Sequence, residues 1–158
     1  MASTIIRPDS SNAGWLVNPS GSSHWAVTDD VVEQPSVPDL TDYIYHDAGG
    51  GGFAQQSLRM SNPVGGPFSK VELWLYGYSA SASNWFVLED ETNGVDVGLE
   101  GSLPSAAAWV SVVTVMTISQ TLANNLQANI NSSNSLDARV YAAYVKLTSQ
   151  QSGLRMVV

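Results

Sequence analysis

Between residues 70 and 78 apolar side chains recur at every second position. Val71, Leu73 and Leu75 fall on one side of an extended chain, and Glu72, Trp74, Tyr76 and Tyr78 fall on the other. A repeat of two is the period of a strand, whose successive side chains leave opposite faces; a helix would scatter the same residues around its circumference. The pattern returns at 84–89, where Phe86 and Leu88 oppose Trp85 and Val87. Glu89-Asp90-Glu91-Thr92-Asn93-Gly94 then reads as a turn, because Asn-Gly favours the left-handed conformations tight hairpins need. Val95, Val97 and Leu99 predict a third short strand, ended by Pro104. A β-branched run with four valines spans 109–118. In 136–147, Leu136, Ala138, Val140 and Ala142 alternate with Arg139, Tyr141, Ala143 and Val145. Shorter strands are expected at 4–7, 25–28, 42–46 and 53–60, and an edge strand or arm at 154–158. One helix is expected within 119–130, where Leu122, Leu126 and Ile130 recur every four residues behind a capping Ser119.

Eight to ten short strands separated by turn residues, with one brief helix, predict an all-β fold: an antiparallel β-sandwich of jelly-roll type, with a closed barrel as the competing architecture. The 158 residues make one domain, 1–158, with 1–40 as an extended N-terminal arm and first strands. Six of the seven prolines and the run Gly49 to Gly52 fall in the first 68 residues, which makes that part rich in loops.

Charged residues are 13% of the chain, against roughly 25% in an average soluble domain. The surface must then be neutral and polar, or covered by partners. The net charge is −8, and the six Lys and Arg stand singly, so no basic stripe meets phosphates and no nucleic-acid partner is expected. Neither a basic amphipathic helix nor a long apolar span points to a membrane. With no Cys, disulfides and thiolate chemistry are excluded.

The residues Ile6-Arg7-Pro8, Gly14-Trp15 and Asp42-Tyr43-Ile44, followed by Val71-Glu72-Leu73-Trp74-Leu75 and Leu136-Asp137-Ala138-Arg139-Val140, resemble the small jelly-roll structural proteins of tailed viruses. The resemblance implies a virion protein acting by assembly, a capsid decoration or head-fibre component in the first place and a tail or baseplate component in the second. Its partners would be other copies of itself and a capsid or tail protein. Residues 1–12 or 153–158 would be the docking arms. The resemblance brings no catalytic residues.

Tested for chemistry, the chain offers little, and it is not expected to be an enzyme. Its two histidines, His24 and His46, lie outside any Gly-x-Ser-x-Gly context. The acids of 89–91 sit in a turn, where solvated carboxylates are the ordinary reading. The glycines at 49–52 lack the Lys and Ser/Thr that a phosphate loop needs. No metal site and no cofactor are expected. Calcium is the one ion with ligands of suitable type, at Asp29-Asp30 or at Glu89-Asp90-Glu91 with Asn93, and neither set has a calcium-loop spacing.

The aromatic residues remain. Trp74, Tyr76 and Tyr78 share one face of one strand, and Trp15 and Trp25 lie in loop-rich sequence. An exposed aromatic row marks an interface with a protein neighbour, or a platform on which a sugar of a cell-surface glycan stacks. The second case describes a carbohydrate-binding β-sandwich module, with rings exposed and coplanar. The alternative is a row covered by the N-terminal portion.

Overall fold

The computed structural model describes residues 1–12, 15–18, 22, 23, 28, 33–46, 54–80, 84–132 and 137–150. Trp25, the strand expected at 25–28 up to Thr28, Asp29-Asp30, the glycines at 49–52 and the segment 153–158 lie outside these.

Among the described residues, twelve strands build two antiparallel sheets. In chain order they are β1 (Ser3–Ile6), β2 (Pro8–Asn12), β3 (Leu16–Asn18), β4 (Tyr43–His46), β5 (Ala54–Met60), β6 (Phe68–Ser79), β7 (Asn84–Asp90), β8 (Val95–Asp96), β9 (Gly101–Ser102), β10 (Ala108–Thr114), β11 (Leu126–Ser132) and β12 (Ala138–Ser149). The first sheet runs β10-β6-β12-β4-β3, and β1 pairs with the second half of β12. The second runs β2-β5-β11-β7-β8, and β9 pairs with the start of β7. This is the sandwich that the alternating runs predict.

The inward residues of the two sheets form one core. Val71, Leu73 and Leu75 of β6 face Leu58 and Met60 of β5, Phe86 and Leu88 of β7, and Leu126, Ala128 and Ile130 of β11, all at most 2% exposed. Residues 1–12, expected as an arm, are built into both sheets. β1 lies on β12, the chain turns at Arg7, and β2 joins β5, so this segment links the two sheets and buries Ile6.

Three expectations are corrected. The helix spans only Gln120–Ala123; Ser119 caps it, its Oγ accepting from Leu122 N at 3.1 Å. The rest of the expected helix is β11, a central strand. A spacing of four suits both periods, and small Ala128 hides the alternation Leu126, Ala128, Ile130 against Gln127, Asn129, Asn131. The third short strand stops at Asp96: Val97 turns into the core, and Leu99 is 73% exposed. In β12 the alternation changes phase. Val140 pairs with Gly77 but Ala142 pairs with Tyr76, so one extra residue enters at Tyr141. A bulge of this kind moves every later side chain to the other face. Ala138 and Val140 point into the core before it, and Ala143, Val145 and Leu147 after it.

Removing the helix cap is a modest test of this geometry. Ser119→Ala is expected to cost about 0.5–1 kcal/mol, since one N–H loses its acceptor. Thermal melting should fall by roughly 1–4 °C.

Candidate functional site

The sandwich has two outward faces, and they differ in chemistry. The first sheet's face is aromatic. Trp74, Tyr76 and Tyr78 of β6 lie there as expected, joined by Trp109 of β10, Tyr141 and Tyr144 of β12, and Tyr43 of β4. Among the described rings of this face only the Trp74–Tyr144 pair is stacked, at 14°. Tyr76–Trp109, Trp109–Tyr144 and Tyr76–Tyr141 meet edge to face at 63–74°. Tyr76, Tyr141 and Tyr144 are at most 8% exposed. The segment 33–38 reaches this face: Trp109 Nε1 donates to Ser36 O at 2.7 Å. Interlocked, tilted rings make a packed layer, not the coplanar platform expected for a sugar. Trp15 also departs from expectation. It is 3% exposed, its backbone N donates to Gln56 Oε1 at 3.2 Å, and its ring lies 5.9 Å from that of His46.

At one end of this face the Arg139 guanidinium lies over the Tyr43 ring at 4.7 Å and near Tyr78 at 5.8 Å. Tyr78 donates its hydroxyl proton to Asp137 Oδ2 at 2.7 Å. Burial, and then this bond to a carboxylate, push the Tyr78 phenol up from 10.0 to about 12. A group whose folded pKa is raised contributes stability that is complete below its unfolded value and lost as pH climbs through the folded one. Stability from Tyr78 should therefore hold to about pH 10 and fall towards about pH 12. Absorbance titration of the folded protein should show a late phenolate phase, shared with the raised Tyr141 and Tyr144, that Tyr78→Phe reduces by one group.

The second sheet's outward face is polar. Its three central strands present Gln55, Ser57 and Arg59 from β5, Gln127, Asn129 and Asn131 from β11, and Trp85, Val87 and Glu89 from β7; the residues between them fill the core. Pairing aligns these in three rows across the sheet: Gln55–Asn131–Trp85, Ser57–Asn129–Val87 and Arg59–Gln127–Glu89. The outer rows are four residues apart along the strands, about 13 Å.

Hydrogen bonds tie the rows together. Gln127 Nε2 donates to Glu89 Oε1 at 2.8 Å, and Asn129 Nδ2 donates to Glu89 Oε2 at 2.7 Å. Ser57 Oγ donates to Asn129 Oδ1 at 2.6 Å, and Gln55 Nε2 donates to Ser57 Oγ at 3.3 Å. Gln127, Asn129 and Asn131 are 3–7% exposed, and the bonds to Glu89 and Ser57 hold Gln127 and Asn129 in one orientation. At the β2 edge a cleft of about 120 Å³ opens among Ser10, Ser11, Ser57, Arg59, Glu91 and Gln127. A shallower one of about 240 Å³ continues it past Asp9 and Asn62. The Arg59–Glu91 ion pair at 3.2 Å forms one wall.

The turn acids of the sequence part company here. Glu89 serves the polar rows and Glu91 meets Arg59. Asp90 turns inward and closes its own turn, accepting from Thr92 N at 3.1 Å and Asn93 Nδ2 at 2.6 Å. Among the described residues no three acids or histidines converge on a point that would hold a metal. His46 Nδ1 lies 3.0 Å from Ser132 Oγ, and that serine is 0% exposed.

Sequence reasoning passed over this face. Trp85 was legible as one side of an alternating strand, but Gln127, Asn129 and Asn131 were hidden in the expected helix. The signal was their own spacing of two.

No family model and no curated protein matches the sequence. Among solved structures, the chain is similar to the C-terminal CBM6 of LamC, a marine laminarinase from Zobellia galactanivorans, at 14% identity and TM-score 0.48, over 94% of this chain and 100% of that one. It is also similar to a family 35 carbohydrate binding module from Clostridium thermocellum, at 12% identity and TM-score 0.47, over 95% and 100%. The enzymatically active domain of Bacteriophage CBA120 tailspike protein 4 matches at 12% identity and TM-score 0.46, over 92% of this chain and 19% of the tailspike chain.

Proposed function

We propose that this chain is a non-catalytic, glycan-binding β-sandwich whose ligand lies across the outward face of the second sheet, from Trp85 to the Arg59 cleft. One observation carries the reading: a hydrogen-bonded network of amide, hydroxyl and carboxylate side chains in register, from which Gln55 and Glu89 reach the surface together with Arg59, beside a half-buried indole at one end. A polyhydroxyl ligand needs preset donors and acceptors for its hydroxyls and an apolar ring against which a sugar face packs. A span of about 13 Å suits two or three sugar units laid along the strands. Asp9, Glu89 and Glu91 against Arg59, in a chain of net charge −8, disfavour acidic sugars, so the ligand is a neutral oligosaccharide. The side chains of this face, rather than the names of similar structures, support the reading. A virion setting is compatible with it and rests on the sequence resemblance alone.

The test is a glycan-array screen followed by titration calorimetry with the best neutral oligosaccharide. Gln127→Ala is expected to weaken binding about tenfold, the share of one well-placed hydrogen bond. Tyr78→Phe, on the opposite face, should leave the affinity unchanged. Binding lost with Tyr78→Phe and retained with Gln127→Ala would move the site to the aromatic face. No binding across the array would remove the reading.

A further inference from the structure

β10 is the outermost strand of the first sheet. It pairs with β6 along its whole length without a register shift, from Ala108↔Gly77 to Thr114↔Val71, and no described residue pairs with its other side. Proteins blunt such edges with Lys, Pro, a bulge or a cover, because a bare edge offers a row of unpaired N–H and C=O groups to another strand. β10, Ala-Trp-Val-Ser-Val-Val-Thr, has no Lys, no Pro and no bulge, and among the described residues no strand covers its outer edge. No charged residue occurs between Glu100 and Asp137. Apolar side chains border the strand's end: Val113 is 41% exposed, Val115 81%, Met116 41% and Leu99 73%. Gly98 lies against the Thr114 side chain, which brings the Leu99 loop to the same place.

We infer that a second copy of this chain pairs with β10, antiparallel and about a two-fold axis. Two molecules of net charge −8 repel, and this uncharged edge is where they meet without opposing carboxylates. The strand is also complementary to itself. With the axis at Ser111, the middle of the seven residues, Trp109 faces Val113 of the second copy and Val110 faces its Val112. Aromatic and β-branched pairs of this kind stabilise antiparallel neighbours.

The axis of an antiparallel pair stands perpendicular to the sheet. The two first sheets therefore become one, and both second sheets lie on the same side of it. The two polar faces then point the same way, and the dimer grips a glycan-coated surface with two sites at once. This consequence, unlike the dimer itself, rests on the glycan reading.

The experiment is sedimentation equilibrium of the full chain over a concentration series, for the native protein, Val113→Lys and Val115→Lys. Val115 lies beyond the strand and is exposed, so the second substitution leaves folding intact if the first variant does not fold. The native protein should show a species of twice the chain mass, and each substitution should raise the dimer dissociation constant at least tenfold. A monomer at every concentration overturns the inference, as does a dimer that survives both substitutions, since its interface is then elsewhere. On a densely glycan-coated surface the monomeric variant should bind about a hundredfold more weakly than native. In solution its affinity for one oligosaccharide should be unchanged. Absence of that solution binding removes the glycan reading and leaves the dimer standing.

Discussion

Trp85→Ala should reduce glycan affinity about thirtyfold, to the edge of detection by calorimetry, with little change in melting temperature. The indole stands in register with Asn131 and Gln55 on the outward side of β7, half-buried, while the core side of that strand is held by Phe86 and Leu88. Truncation removes the one broad apolar surface that the rows offer to a sugar ring. Tryptophans in such positions commonly account for about 2 kcal/mol of binding, which corresponds to that factor. The core is untouched, so stability should move by less than about 1 kcal/mol. Trp85→Phe should recover part of the affinity, because a smaller ring still packs against a sugar face. Titration of the three proteins with one oligosaccharide checks this. Equal affinity for all three would mean that Trp85 contributes nothing and that the ligand does not lie along these rows.

The largest effect on stability is expected from Gly77. This residue sits near the C-terminal end of β6, opposite the bulge of β12. A Cβ added there would run into the Arg139 carbonyl oxygen and stand 3.2 Å from Val140 Cα. Both obstacles are backbone, and the extra residue at Tyr141 has already brought that backbone close. Gly77→Val must push the two strands apart or force β12 out of its bulge. Either would put Ala143, Val145 and Leu147 out of register with the core, so the cost should reach about 3 kcal/mol or more. Melting temperature should fall by roughly 6–12 °C. Gly77→Ala should be milder in size but the same in sign. Unfolding by heat, followed by circular dichroism, measures both. A Gly77→Val protein as stable as the native one would mean that the β6–β12 pairing adapts without loss.

Much of the fold is legible in the order of the residues. Val71, Leu73 and Leu75 lie in the core because a repeat of two leaves one face of a strand apolar, and burying that face is the dominant gain in folding. The Ser119 cap is also legible, since the bond from Ser119 Oγ to Leu122 N is made within one turn of chain. The binding face is legible only in part. Trp85 stands on the less apolar side of its strand, with nothing to mark it above Trp74, Tyr76, Tyr78 or Trp15.

By itself, the sequence pointed to an antiparallel sandwich over a closed barrel, to a surface poor in charge, and to Val71, Leu73 and Leu75 as core. All three follow from local period and composition. Only the tertiary structure decided the rest. It made β11 a strand, because flanking strands β5 and β7 satisfy its backbone where a helix would have left them unpaired. It placed the bulge at Tyr141, through pairing with a strand some sixty residues earlier in the chain. It packed the aromatic row and left the amides of β11 to form the polar face. A period of two tells that a strand has two faces; which of them meets solvent is set by partners distant in sequence, and those partners are brought together only by folding.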